Sequence, residues 1–408
     1  MALNPVKPAK LYFKNLDGIR FIAALLVLFH HACYLKRNYS AGYAFVNNCA
    51  EYLGRIGVNL FFILSGFLIS YLLLVEKDST GTISYRNFYL RRVLRIWPLY
   101  LGYGFLITFL SPYIASKLGF GSAVDLSTTM LNLLFLLIFS VNMQLAFIGS
   151  NGGIFEISWS VCIEEQFYLI WPLLINKFRK NILRLLVGML AVTLLVRIAI
   201  CVVWPIYAHA VDVRSFWHTS YTANHTYDYL ITNYLLIFDK LDLFGAGLFI
   251  AWLYYNREKH RSLFRKLFHP VVQVVMTVLF VVYLLSIYDP TNFFYFLFVD
   301  HIVCFILFGY ILLAAVAENS IFNLEYPLLR TLGKISYGIY LFHTAVLQFT
   351  LVLFKKVVKH PESHLIYDLV YPLCGLVATA VIAWLSYRFY ESWFLKKKDK
   401  FAFVLAKP

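Results

Sequence analysis

Residues 16–31 read LDGIRFIAALLVLFHH, an unbroken apolar run with Asp17 and Arg20 near one end and the pair His30–His31 at the other. The run continues to about Leu35, and about 20 apolar residues suffice to carry a helix across a bilayer. At about 100° and 1.5 Å per residue, Arg20 and His31 differ by only about 20° around the axis and stand roughly 16 Å apart along it. Asp17, three residues before Arg20, falls near the same stripe, and His30 lies about 80° off it. Ionisable groups are costly inside a membrane. An arginine and a histidine aligned on one face, at two depths, therefore point to function rather than to spanning alone.

The rest of the chain has the composition that such a helix requires. Of 408 residues, 61% are hydrophobic, 19% aromatic and 14% charged, and the mean hydropathy is +0.70. A soluble domain carries about 25% charged residues. The formal charge of +15 is not spread as a nucleic-acid-binding surface, and no nucleic-acid partner is expected. Lys and Arg instead cluster between apolar runs, as cytoplasmic loops do. The six cysteines, Cys33, Cys49, Cys162, Cys201, Cys304 and Cys374, are scattered without CxxC or zinc spacing, and they read as packing residues. No metal site is expected. Lys7, Lys10 and Lys14 lead into a full-length span without a small-residue cleavage site, so no cleavable leader is expected.

Apolar windows of crossing length fall near 16–35, 56–75, 96–116, 128–148, 155–176, 183–206, 234–255, 271–288, 299–317, 335–354 and 370–394. Neither strand alternation nor hairpin turns appear among them, which predicts an all-α, polytopic membrane helix bundle in a single domain over 1–408. Basic clusters follow at Lys7/Lys10/Lys14, Arg86/Arg91/Arg92/Arg95, Lys177/Arg179/Lys180/Arg184, Arg257/Lys259/Arg261/Arg265/Lys266, Arg330/Lys334 and Lys396/Lys397/Lys398/Lys400. If all are cytoplasmic, both tails (1–14 and 396–408) are cytoplasmic and the number of crossings is even. Window 128–148, interrupted by Asn132, Asn142 and Gln144, is the least lipid-like. Read as a re-entrant or tilted segment, it leaves about ten transmembrane helices. Lys355, Lys356 and Lys359 then fall outside, against the rule. The loops 207–233 and 289–298 would be extracytoplasmic, and the setting is the cell membrane.

Three further polar sets stand in apolar surroundings. In GVNLFFILSGFLIS (57–70), Gly57, Ser65 and Gly66 let helices approach closely. In SYRNFYLRRVLRIWPLY (84–100), Arg92 and Arg95 at i,i+3, with Arg91 and Arg95 at i,i+4, form one cationic face. That face is either a topological anchor or a phosphate clamp. In EISWSVCIEEQFYLIWP (156–172), Ser160 and Glu164 are at i,i+4 and Glu165 and Tyr168 at i,i+3. Adjacent carboxylates cannot both face lipid, so at least one of Glu164 and Glu165 faces a cavity, or pairs with an arginine such as Arg20. GKISYGIYLFHTAV (333–346) adds Tyr340 and His343 on one face, where a core histidine is the ordinary reading. Arg197 and the Asp239/Lys240/Asp242 group read as a structural ion pair. His218 and His225 show no ligand spacing. There is no GxSxG elbow, P-loop or GxGxxG, and no tightly bound cofactor is expected.

Taken in order, LDGIRFIAALLVLFHH, FFILSGFLIS, FYLRRVLRIWPLY, SWSVCIEEQFYLIWP, SYGIYLFH and YRFYESWF resemble the acyltransferase-3 family of integral membrane acyltransferases, from about residue 15 to 395. The resemblance implies transfer of an acyl group, commonly acetyl, from cytoplasmic acyl-CoA as co-substrate to a hydroxyl of a cell-envelope carbohydrate or glycolipid. It places the catalytic role on His31, with Arg20, Asp17 and Glu164 beside it, and puts the CoA moiety on Arg92 and Arg95. His30, Ser160, Glu165, Tyr340 and His343 are secondary candidates. Many members add an extracytoplasmic SGNH hydrolase-like domain that is not read here, so the group goes either straight to the acceptor or to a separate extracytoplasmic acyltransferase partner. A histidine can serve as base or as nucleophile near neutral pH. The rival reading is an exporter of a glycan or lipid, which the absence of an internal repeat disfavours.

Overall fold

The computed structural model describes residues 9–37, 39, 44–118, 126–148, 154–210, 236–285, 300–358, 360, 364–401 and 404–406. His218, His225, residues 1–8 and most of the expected outer loops (211–235 and 286–299) lie outside them. The protein is an all-α membrane bundle. Among the described residues one pair of short strands occurs: β1 (Ala9–Leu11) runs parallel to β2 (Val404–Ala406).

Helix α1 (Leu16–Lys36) begins after Asn15, which adopts the left-handed conformation at φ 62°. Asparagine tolerates that region, and here its side chain is used in full. Its amide donates to Ala315 O at 2.8 Å and Phe322 O at 3.1 Å, and its carbonyl accepts from Leu324 N–H at 2.7 Å. Helix α2 (Ala44–Thr80) packs antiparallel against α1, with Gly54 beside His30 and Gly57 beside Ala23. A Cβ on Gly57 would stand 2.5 Å from Ala23 O, so the small residue sets the approach of the two backbones. Helix α3 (Tyr85–Leu118) then returns.

The window at 128–148 is not one helix. Helix α4 (Leu126–Leu137) and helix α5 (Val141–Phe147) are separated at Phe139, whose φ is 52°. At 12 residues, α4 reaches only about 18 Å. Phe139 stacks on Tyr100 at 4.4 Å and its carbonyl accepts from Gln166 at 3.1 Å, so the chain bends back inside the bundle beside α3. The window expected as one re-entrant or tilted segment is thus two short helices joined at a break.

Helix α6 (Trp159–Phe178) runs alongside α2, Trp171 Nε1 donating to Ser70 Oγ at 3.0 Å and Arg179 beyond its end pairing with Asp78. Helix α7 (Ile182–Ala210) comes back, because Arg197 meets Asp239 and Asp242 at the start of α8 (Leu241–Tyr255), while Tyr255 at the other end of α8 meets Asp78. The apolar stretch Phe155–Ala199, 45 residues long, thus contains two antiparallel legs. Against α2, α8 comes so close that a Cβ on Gly66 would lie 2.4 Å from Phe244 O.

Helices α9 (Arg261–Leu267) and α10 (Pro270–Leu285) meet at a bend of 55°, and α11 (His301–Val316) follows. After the short α12 (Pro327–Lys334) come α13 (Ser336–Val357), parallel to α1, and α14 (Tyr371–Ser386), antiparallel to α13, with α15 (Ser392–Lys398) continuing toward the end. By length and apolarity six helical stretches among the described residues can cross a membrane, or seven with the bent pair. The ten expected from the sequence are not all reached on this measure: α8 and α11 are too short in the described residues. The outer faces of α7, α10 and α14 leave Val187, Leu195, Val282 and Val377 more than half exposed, the arrangement of side chains meant for lipid rather than water.

The basic clusters gather at one end. There Arg91 meets Glu76 and Phe401 O, Arg179 meets Asp78, and Arg330 lies over the ring of Tyr12. Lys355 and Lys356 sit at the opposite end of α13.

Candidate active site

Asp17 and Arg20 occupy the first turn and a half of α1, and Arg20 Nη1 donates to Asp17 Oδ1 at 2.9 Å. The i,i+3 spacing makes this pair local and self-contained. It leaves Arg20 aimed at a cavity whose wall also includes Ser65 of α2, Arg92 and Arg95 of α3, Ser160, Glu164 and Tyr168 of α6, and Tyr340 of α13. Five helices converge there. Among the described residues Arg92 and Arg95 form no salt bridge, while Arg91, next in the chain, turns away to Glu76 at 3.3 Å. Arg92 lies over the ring of Tyr168 at 5.7 Å. The three arginines that read as one face in the sequence are therefore two different things, a tethered Arg91 and a cavity pair.

The adjacent carboxylates also separate. Glu164 faces the cavity and is held by hydroxyls: Ser65 Oγ donates to Oε1 at 2.8 Å, and Tyr168 OH lies 3.2 Å from Oε2. Glu165 accepts from Trp97 Nε1 at 2.9 Å on another side of α6. Neither carboxylate takes Arg20, whose partner is Asp17. Tyr168 serves Glu164 at i,i+4 rather than Glu165 at i,i+3. Ser65, read only as a small packing residue, is a ligand of the cavity carboxylate; its contact with Glu164 leaves no trace in spacing, since the two lie 99 residues apart on different helices.

Tyr340 closes the far wall of the cavity. Its hydroxyl stands 2.6 Å from Ser160 Oγ and donates to Ile157 O at 3.1 Å, and its ring meets Phe61 edge-on at 5.8 Å. One turn further along α13, His343 is completely buried and faces His31 of α1, Nε2 to Nδ1 at 3.3 Å. His31 does not line the cavity; it stands beyond Tyr340, with Nδ1 also 2.9 Å from Val27 O. His30 turns to Gly54 and stacks with Tyr34, ring centroids 6.5 Å apart. The Arg197 group is a separate buried cluster in which Asp239 and Asp242 lie 2.7 and 2.9 Å from the guanidinium, and Lys240 lies 2.8 Å from Asp239. Among the described residues no group of three His, Cys, Asp or Glu is placed to hold a metal ion.

The site thus has a cationic, cavity-lining half (Arg20, Arg92, Arg95) and an imidazole half, joined by Tyr340. Guanidinium groups without carboxylate partners suit an anionic ligand, phosphate above all. A helical membrane protein with an arginine-lined cavity leading toward His31 and the buried His343 has the make-up of an integral membrane group-transfer protein. The chain belongs to the acyltransferase domain family, whose model matches residues 13–388. It is 26% identical over 401 residues to the peptidoglycan O-acetyltransferase OatA of Listeria monocytogenes serovar 1/2a, covering 93% of this chain and 55% of that protein. It is 27% identical over 388 residues to YrhL, a candidate peptidoglycan O-acetyltransferase of Bacillus subtilis strain 168, covering 93% of this chain and 54% of that one. A candidate O-acetyltransferase of Staphylococcus aureus strain COL is 26% identical over 410 residues, 95% of this chain and 58% of its own. The chain therefore spans little more than half the length of these curated relatives. No solved structure matches it.

Proposed function

We propose that this protein is a membrane O-acyltransferase that takes an acyl group, acetyl in the first instance, from acyl-CoA on the cytoplasmic side and delivers it to a hydroxyl of an envelope or secreted glycan. The observation that carries this reading is the cavity itself: two guanidinium groups that form no salt bridge among the described residues, a third held by Asp17, and a wall closed by Tyr340, one turn short of the His343–His31 contact. Gathering of the basic clusters at one end supports a cytoplasmic face there, with both chain ends on it. Arg92 and Arg95 would then receive the phosphates of the nucleotide, and Arg20 the inserted arm. The names of the relatives make peptidoglycan the first acceptor to test.

In this reading His31 is the reacting group. Either it removes the proton of the acceptor hydroxyl, or its ring nitrogen accepts the acyl carbon before passing it on. Glu164 is the carboxylate closest to the cavity and sets the charge opposite the arginines. Transfer proceeds to the glycan itself or to a separate extracytoplasmic acyltransferase that completes it.

The test is turnover by the purified protein in nanodiscs with radiolabelled acetyl-CoA, following release of the CoA thiol and label in added peptidoglycan fragments. Thioester cleavage that is lost in His31→Ala and retained in His30→Ala is the expected result. A folded protein that never cleaves the thioester, yet moves glycan across vesicles, would establish the exporter reading instead.

A further inference from the structure

The two imidazoles that meet between α1 and α13 are each tied to a carbonyl, and that settles where their hydrogens are. His343 Nδ1 lies 2.6 Å from Tyr340 O. A carbonyl oxygen only accepts, so this nitrogen carries the hydrogen and the neutral ring has its lone pair on Nε2. That lone pair faces His31 Nδ1 at 3.3 Å. His31 Nδ1 in turn lies 2.9 Å from Val27 O, so it too carries its hydrogen, shared between the carbonyl and His343. The lone pair of neutral His31 is then on Nε2, which makes no hydrogen bond among the described residues.

We propose that His343 is a positioning residue for the acyl-transfer step: it accepts from His31 Nδ1–H, fixes the tautomer that exposes His31 Nε2, and stabilises the charge that appears on that ring during reaction. The inference rests on the reading of His31 given above. In either use of His31, Nε2 spends its lone pair on one new bond. That bond is to the proton leaving the acceptor hydroxyl, or to the acyl carbon as the C–S bond breaks and the pair departs on the CoA thiolate. The ring gains one positive charge in both cases. Its Nδ1–H becomes a stronger donor, and the waiting acceptors are His343 Nε2 and Val27 O. An acceptor on the far nitrogen of a reacting histidine performs this work in hydrolytic triads, where it orients and stabilises the imidazolium without itself taking the proton.

His30 cannot substitute in this role. Its ring meets that of His31 edge-on at 4.8 Å and packs on α2 at Gly54, whereas the nitrogen facing His31 Nδ1 is that of His343. Complete burial of His343 fits the task, because a dry acceptor cannot be exchanged for water. The i,i+3 step from Tyr340 places His343 one turn beyond the cavity wall, so the same helix closes the cavity and supports the reacting ring.

The experiment compares His343→Leu and His343→Gln with His31→Ala in nanodiscs, measuring kcat and KM for acetyl-CoA together with the thermal midpoint. His343→Leu is expected to lower kcat by roughly tenfold or more with KM within about twofold. His343→Gln, whose side-chain carbonyl can accept from His31 Nδ1–H, should recover most of kcat. A Leu variant with wild-type kcat overturns the proposal. So does a Gln variant that is folded and as slow as the Leu variant. If the Leu variant does not fold, the Gln result decides alone. Activity retained in His31→Ala would instead remove the reading of His31 on which the inference stands.

Discussion

Glu164 and Glu165 are neighbours in the chain and have no partner in common: Ser65 and Tyr168 hold the first, and the indole of Trp97 holds the second. Their substitutions should part accordingly. Glu164→Gln keeps the size but removes the negative charge facing Arg92 and Arg95, and acyl transfer should fall by about one to two orders of magnitude. Glu165→Gln keeps an acceptor for Trp97 Nε1 and should remain within about threefold of the wild type. Initial rates of CoA release from the two variants, at matched protein stability, distinguish them; equal losses would remove Glu164 from the site.

Arg92→Lys and Arg95→Lys preserve charge but lose the fork that binds phosphate at two points. Each should raise KM for acetyl-CoA by roughly fivefold, the equivalent of about 1 kcal/mol from one charged hydrogen bond. Arg91→Lys should leave KM alone and instead lower the thermal midpoint, because Arg91 holds Glu76 and Phe401 O rather than the cavity. Titration of rate against acetyl-CoA concentration separates the three.

The hydroxyl contact between Tyr340 and Ser160 is buried in the cavity wall. Tyr340→Phe and Ser160→Ala should each destabilise the protein, and the double variant should cost less than the sum by about 1 kcal/mol, the net worth of one buried hydrogen bond. A double-variant cycle on thermal stability in one detergent measures this. Strict additivity would mean that the two groups do not interact.

Gly66 and Gly188 offer a contrast in packing. A methyl on Gly66 would press on the backbone of Phe244 at 2.4 Å, whereas a methyl on Gly188 meets nothing within 4 Å. Gly66→Ala should lose about 1–3 kcal/mol through backbone displacement. Gly188→Ala should be neutral or mildly stabilising, since alanine is the better helix former. Thermal unfolding of the solubilised protein is the measurement.

In a background lacking reactive cysteines, Phe147→Cys at the end of α5 and Lys180→Cys in the basic turn should label from opposite sides of sealed vesicles. Both side chains are exposed, and α4–α5 bends at Phe139 while Lys180 sits with Arg179 at the basic end. Labelling of Phe147→Cys from the side on which Arg91 lies would make residues 126–147 a crossing segment and change the parity of the bundle.

The helical windows and the stripe of Asp17, Arg20 and His31 were legible because apolarity and helical phase are local properties. So was the pairing of Arg197 with its aspartates, since two buried opposite charges require each other. What phase could not supply was the partner across helices. Nothing in the chain announces that Tyr168 would turn to Glu164 rather than Glu165, or that Arg91 would be drawn off by Glu76. His31 and His343 stand 312 residues apart, and local spacing carries no record of such a meeting. The break at Phe139 is equally silent: neither glycine nor proline marks it, and the left-handed backbone there is held by packing on Tyr100 and by Gln166.

The pairing of Ala9–Leu11 with Val404–Ala406 has a consequence for biogenesis. Strand β1 is made before every helix that separates it from β2, so it must wait, unpaired, until the last of those helices has been inserted. The junction then ties the start of α1 to the end of α15, and a chain released before Val404 cannot form it.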